Sequence, residues 1–376
     1  MSHLEGEVSL LEATIRRFRQ RLETEDPEAD PARRETPLKE AEAIGLLTDP
    51  DPEAPGFATG IWGRWTWTER LGLSLHALAR LGEACAGFAL ALHAQGIACA
   101  ALEGARFFPR GARLTLGGLL ADGISPSPFA GEEEDGLRLT GPHDHLLLEG
   151  RSWFLISAGP PQGLLLFARA AEDSSWALIT LPADLPGVRL EPLPERLGLR
   201  AAWMGHLQAD GVLIAREGAA RILARGEEAH RRLRRLLALD WLGHAAIALG
   251  VARRSLDQAR AYAQTRYQGG RRIIAHGPVR SLLGTAAADV MTLELLLKAH
   301  AEQPLSALSE DVLERWAAVA KLAIAEHAWR AVSNSLQVMG GYGYMEDHGL
   351  AGRLRDVSTL RVLHGSPDGI RLRYAE

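Results

Sequence analysis

Residues Ser335–Asp356 read SLQVMGGYGYMEDHGLAGRLRD. A glutamine, Gln337, stands near the end of a helical stretch, and Gly340, Gly341 and Gly343 follow it. Glycines so placed let a backbone adopt positive φ and come close to a ligand, which suits the pyrophosphate of a dinucleotide. A glycine-rich helix end is by itself an ordinary terminus. The segments further out, and their order, decide what this one means.

The chain has 376 residues, 47% of them hydrophobic, enough for one large globular unit or two to three packed subdomains. A formal net charge of -5 gives no electrostatic case for nucleic acid. The cluster Arg231, Arg232, Arg234, Arg235 is local and reads as a solvated helix face. Cys85 and Cys99 lie in an apolar helical stretch without C-x-x-C spacing, as core thiols of a reducing compartment would. Met1–Arg21 is charged and amphipathic and lacks the apolar core of a secretory signal, so a cytoplasmic location is expected. No uninterrupted apolar run reaches the roughly 20 residues that cross a bilayer, so no membrane association is expected.

Apolar residues at helical spacing (Ile15, Phe18, Leu22) open the chain, and an Ala/Leu-rich helical pattern runs from about Thr66 to Glu103. From Arg113 the character changes. Short apolar runs such as HLLLEG (145–150), WFLIS (153–157), LLLFAR (164–169) and WALITL (176–181), punctuated by Gly, Pro, Asp and Ser, read as strands. Long Ala/Leu/Arg-rich helices return afterwards, broken at QGGRRIIAHGP (268–278) and again near 303–308, where Ser309 before Glu310 and Asp311 predicts an N-cap. The expected fold is α+β: a helical domain over 1–112, a β-sandwich or barrel domain over 113–215, and a four-helix bundle over 216–376. G-x-G-x-x-G, P-loop, H-E-x-x-H and G-x-S-x-G motifs are absent, so Rossmann, nucleotide hydrolase, zincin and serine hydrolase readings lack support. His143 and His145 flank Asp144 but match no metal-ligand spacing, and no metal site is predicted.

The opening stretch resembles the C-terminal signature of the acyl-CoA dehydrogenase family, Q-x-x-G-G-x-G-Y followed by R-D. Arg266, Gln268 and Gly270 resemble that family's R-x-Q-F-G motif at a helix end. PGVRLEPLPERLGLRAAWMGHLQADGVLI (186–214) is similar to its P-G-V and M-G-x-R stretch, and EGRSWFLISAG (149–159) to its G-x-K-x-W-I-T-N strand. The resemblance is strongest after residue 185. It implies FAD bound partly across a dimer interface, by Arg266, Gln268, Gln337, Gly340, Gly341, Ser366 and Ser157. It also implies an acyl-CoA stacked on the flavin and desaturated between its α and β carbons, in a homodimer or homotetramer or a hetero-oligomer with a related subunit. A base takes the α-proton while the cofactor accepts hydride.

Departures from the family pattern bear on that chemistry. Counted from Arg355-Asp356, the family's catalytic glutamate falls on His364, in VLHGS. Some members carry the base earlier, at the position of Asp240 in LALDWLG. An imidazole can accept a proton near neutral pH. A carboxylate among leucines and Trp241 is desolvated, which is expected to raise its pKa toward a useful value, unless it pairs with Arg234 or Arg235. The aromatic of R-x-Q-F-G is Gly269, and the flavin-contacting loop reads LLADGISPSPF (119–129), where Ser125 or Ser127 is left to substitute. Three functions follow: a dehydrogenase using Asp240 or His364 as base, a non-catalytic subunit that completes FAD sites for an active homologue, and a different flavin reaction on the same scaffold, monooxygenation or elimination.

Overall fold

The computed structural model describes residues 2–25, 27–28, 30–119, 136–142, 145–215 and 218–373. Helices α1 (Ser2–Glu25), α2 (Glu35–Ala43), α3 (Pro55–Thr59), α4 (Arg64–Thr68), α5 (Gly72–Ala84) and α6 (Ala86–Ala101) form the first module. All of α6 is buried except Ala100, consistent with a sequence apolar on every side. The break between α5 and α6 falls at Cys85, whose backbone is extended and whose thiol accepts the Phe88 N–H.

Strands β1 (Leu114–Gly117), β2 (Leu137–Thr140), β3 (Leu146–Ser157), β4 (Gly163–Ala170), β5 (Trp176–Pro182), β6 (Val188–Pro192), β7 (Trp203–Ile214) and β8 (Arg221–Arg225) make one mixed sheet. Its order is β6-β7-β3-β2-β4-β5-β8, with β1 parallel to the first half of β4. Along β4, Leu165 and Phe167 face the helices while Leu164 and Leu166 enter a second core made of sheet residues alone. Both arms of the sheet, β3 with β7 and β4 with β5, meet in that second core, so the sheet folds over its own inner face. The sheet ends later than expected: β8 lies beyond residue 215 and leads straight into the next helix.

Helix α7 (Gly226–Thr265) is the axis of the last module, with hairpin strands β9 (Tyr267–Gln268) and β10 (Arg271–Arg272), then α8 (Gly277–Lys298), α9 (Glu310–Ala323), α10 (Trp329–Met339), α11 (Gly341–Tyr344), α12 (Leu350–Val362) and α13 (Pro367–Arg373). A π-helical turn, Ile324–Ala328, joins α9 to α10, so α7, α8, α9–α10 and α12 form the four helices of the bundle. Beside it His327 and Arg330 both grip the buried Asp289 of α8, at 2.8 Å and at 2.5 and 2.9 Å. Asp356, of the R-D pair, accepts the Leu199 N–H at 2.7 Å; burial and the neighbouring Glu28 carboxylate push its carboxyl well above the ordinary range. By length and composition α7 alone among the described helices could cross a bilayer, yet its most apolar window is buried as the core of this fold.

Helices α5 and α7 touch backbone to backbone through glycines. A Cβ at Gly250 would stand 2.0 Å from the Ala79 carbonyl oxygen, and one at Gly82 would stand 2.6 Å from that of Ile247. Gly250→Ala therefore sets a helix-propensity gain of up to about 1 kcal/mol against an overpacking cost of about 1–3 kcal/mol. Because the obstacle is backbone that cannot swing aside, a net loss of stability is expected, measured as a lower urea midpoint with unchanged slope.

Candidate functional site

Asp240 lies in the middle of α7, 3% exposed, in the apolar run that the sequence displays. Its Oδ1 receives His93 Nε2 at 3.0 Å and its Oδ2 receives His364 Nδ1 at 2.9 Å. His93 comes from α6. A Cβ at Gly243 would stand 2.1 Å from the His93 ring, so the glycine of LALDWLG is what admits that imidazole against α7. His364 follows α12 with a left-handed backbone, φ 52°, which turns its carbonyl onto Trp241 Nε1 at 2.7 Å while its ring reaches back to Asp240. The two candidate bases are thus partners of one another.

The hydrogen bonds fix most of the tautomers. Trp62 Nε1 only donates, and it lies 2.7 Å from His93 Nδ1; that nitrogen accepts, and the His93 proton sits on Nε2 toward Asp240. His364 Nε2 lies 3.0 Å from the Phe154 carbonyl oxygen of β3, so each nitrogen of this ring faces an acceptor. Lys321 of α9, 1% exposed, donates to the Leu360 and Leu363 carbonyls at the end of α12 and to His244 Nδ1, at 2.8, 2.5 and 3.2 Å. Burial pushes this ammonium down to about 7. The His244 imidazole is driven well below its usual value, first by burial and against the pull of Asp240, so it is neutral; its Nε2 stands 3.5 Å from Asp240 Oδ1 without a hydrogen bond.

His93, Asp240 and His244 also bring their ligand atoms within 4.8 Å of one another, a two-histidine, one-carboxylate grouping. Their outer partners oppose ligation. A metal-bound imidazole carries its remaining proton on the far nitrogen and donates it to an acceptor. Here the far nitrogens of His93 and His244 face donors, the Trp62 indole and the Lys321 amine. The cluster is built as a hydrogen-bond network.

This arrangement reverses one expectation. Burial does act to raise the Asp240 pKa, but the electrostatic interaction with the His244 and His364 rings and the hydrogen bonds from His364 and His93 outweigh it, and the carboxyl is held well below the ordinary range. The alternative pairing with arginine is not found either: Arg234 binds Glu314, and the Arg235 guanidinium lies 4.5 Å above the Trp67 ring. Both carboxylate oxygens of Asp240 are engaged, and both ring nitrogens of His364 face acceptors within the protein.

The remaining candidates are placed apart from this cluster. Ser157 is fully buried and donates to the Leu114 carbonyl at 3.0 Å, a strand-to-strand tie and not a ligand-facing hydroxyl. Ser366 accepts the Gly369 N–H at 3.1 Å and caps α13. Gln337 is exposed near the end of α10. Arg266, Gln268, Gly340 and Gly341 line one cavity of about 530 Å³, walled by Tyr262 and Tyr342. Gly340 has φ 58°, and a Cβ on Gly341 would meet nothing, so this backbone lies open toward the cavity. Arg266 makes no ion pair among the described residues and lies 5.6 Å from the centre of the Tyr342 ring. An unpaired guanidinium over bare glycine backbone fits the phosphates of FAD. Gly269, where the family has an aromatic, forms with Gly270 the two-residue turn of β9–β10, with φ 61° and 78°. Ser125, Ser127, His143 and Asp144 lie outside the described residues.

Residues 231–376 match the family model for the acyl-CoA dehydrogenase C-terminal domain. The chain is 24% identical over 351 residues to a probable acyl-CoA dehydrogenase, YngJ, of Bacillus subtilis, covering 89% of this chain and 87% of that one. Residues 231–376 are thus an acyl-CoA dehydrogenase C-terminal domain, and the chain is similar to acyl-CoA dehydrogenases over most of its length. Its fold is also that of two solved members: a glutaryl-coenzyme A dehydrogenase in complex with glutaryl-CoA (TM-score 0.74, 19% identity, 98% and 94% of the two chains) and the butyryl-CoA dehydrogenase of Megasphaera elsdenii (TM-score 0.71, 17% identity, 96% of each). Together these likenesses support an oxidoreductase of the acyl-CoA dehydrogenase type.

Sequence reasoning missed His93, His244, Lys321 and Trp62. The signal available was the Asp240–His244 spacing of four, which puts both on one face of a helix, and the lone polar His93 in ALALHAQG. Removing the shared anion exposes the network's worth. Asp240→Asn leaves the surrounding donors without their charge partner and is expected to cost about 3–5 kcal/mol. A depressed carboxyl pKa gives stability that is present above the unfolded value of about 3.9 and lost as pH falls through the folded value. Chemical denaturation across acid pH should therefore show the wild-type advantage over Asp240→Asn shrinking below about pH 4.

Proposed function

We propose that this chain serves as a subunit of an acyl-CoA dehydrogenase-type assembly in which it lends Arg266, Gln268 and the Gly340–Gly341 backbone to the phosphates of FAD held chiefly by a related catalytic chain. The observation that carries this reading is the closed state of Asp240 and His364. A base must present a free lone pair to the substrate α-carbon, at hydrogen-bond reach. Both ring nitrogens of His364 are turned onto acceptors within the chain, and Asp240 is a stabilised, weakly basic anion with both oxygens engaged. The exposed corner at Arg266, by contrast, keeps an unpaired cation and open backbone.

FAD would supply the hydride acceptor in such an assembly, and this chain's part is to hold its anionic end and to orient it. Desaturation of an acyl-CoA by this chain itself requires the Asp240–His364 hydrogen bond to open. The chain's cytoplasmic location and its oligomeric pairing belong to the same proposal.

The test is spectroscopic. Purified alone, the chain should retain little FAD and show no flavin bleaching with butyryl-CoA; co-purified with its catalytic partner, it should share bound FAD. In that complex Arg266→Ala should remove a charge-assisted contact of about 1.5–3 kcal/mol and lower flavin occupancy. A yellow isolated chain that carries one FAD each and bleaches with butyryl-CoA would establish the dehydrogenase reading instead.

A further inference from the structure

A cavity of about 480 Å³ lies in the first module, apart from both Asp240 and the Arg266 corner. Its walls include Phe57, Trp62, Trp67 and Ala100, with Arg64 and Glu103, both exposed, at its mouth. The volume is in the range of small-molecule sites, which are about 300–1,000 Å³. Three aromatic rings around one space favour a planar, apolar ligand, stacked or edge-on.

Charge decides the rest of the ligand. Aromatic walls with a carboxylate nearby resemble a cage for a cation, but Glu103 is already paired with Arg232 at 2.6 Å. Trp67 already carries the Arg235 guanidinium, 4.5 Å from its ring centre. Neither Arg64 nor Arg235 makes an ion pair among the described residues, and Arg235 Nε is buried without a hydrogen bond. Of the two charged residues that line the cavity, Glu103 is spent on Arg232, which also holds Glu228, and Arg64 has no ion pair among the described residues.

We propose that this cavity binds a one- or two-ring aromatic carboxylate, its ring among Phe57, Trp62 and Trp67 and its anion toward Arg64. The site stands independently of the partner-subunit reading. It also reports inward. Trp62, 1% exposed, is held by Ser74 Oγ on its backbone N–H at 2.9 Å, and its indole N–H is the bond that sets the His93 tautomer. A ring packed on Trp62 therefore presses on the first link of the chain that ends at Asp240 and His364.

The experiment titrates the full chain with 2-naphthoate by calorimetry and tryptophan fluorescence, with an imidazole ¹⁵N spectrum of His93 before and after. Saturable one-to-one binding tighter than about 1 mM and a moved His93 resonance are expected. Ala100→Trp should abolish binding by filling the cavity. Arg64→Gln, at an exposed position that leaves the fold intact, should weaken binding roughly tenfold. 2-Naphthylmethylammonium should bind more weakly than 2-naphthoate. Absence of saturation, wild-type affinity in the Arg64→Gln chain, or preference for the ammonium compound would overturn the proposal.

Discussion

A carboxylate buried in the middle of a long helix must be matched by donors or it unfolds the protein around it, and Asp240 is matched from two directions. Isolated transfer of such an ion into a low-dielectric interior costs many kcal/mol. His93 answers from α6 and His364 from the turn after α12, while His244, one turn along α7, stands 3.5 Å away without a hydrogen bond. Each of those groups has a second commitment: Trp62 in the loop before α4, Phe154 on β3, Lys321 on α9. The helical first module, the sheet and the bundle are all tied to one anion. Backbone packing then serves the same point, because Gly243 is small where His93 must enter, and Gly250 and Gly82 let α5 approach α7.

That network transmits position and not protons. A proton wire needs groups that can both gain and lose a proton along its length, and this chain ends in an indole N–H on one side and an amide carbonyl on the other. Neither exchanges a proton at accessible energies. What the chain does carry is geometry. The tautomer of His93 is dictated by Trp62, and the ring of His364 is held between Asp240 and β3, with the left-handed turn at φ 52° kept in place by Trp241. Lys321 closes the other side by capping α12, whose buried end would otherwise leave carbonyls unpaired.

The order of modules was legible because hydrophobic period and turn chemistry change abruptly, at Arg113 and again before the long arginine-rich helix. The end of the sheet was not, since RILAR (221–225) carries two arginines in five residues and reads as the start of that helix until its pairing with β5 is seen. The glycine-rich corner was legible for a local reason: positive φ and an uncovered backbone leave their mark as glycines in sequence. The direction of the Asp240 pKa was not. A one-dimensional window shows only the leucines around the carboxylate, whereas the groups that fix it arrive from positions 93 and 364, with His244 the only one nearby in sequence. Ser157 failed similarly, because its place in a strand says nothing of which carbonyl, here that of Leu114, will claim its hydroxyl.

The glycine-rich corner and the Asp240 cluster differ physically, and the difference follows from where each sits. Arg266, Gln268 and the Gly340–Gly341 backbone are on the surface, so they can persist without a ligand at little cost: an exposed guanidinium is solvated, and glycine backbone is satisfied by water. The position of the reacting base is interior. A buried acid with no substrate facing it lowers stability unless donors close upon it. The Asp240–His364–His93 cluster is such a closure. An open, basic surface corner and an interior that holds its acid in a structural tie are compatible with the proposed role of completing a neighbour's site. They are hard to reconcile with a chain that must open the same tie at every turnover, because each opening would strip a buried anion of one of its two hydrogen bonds and cost several kcal/mol before chemistry began.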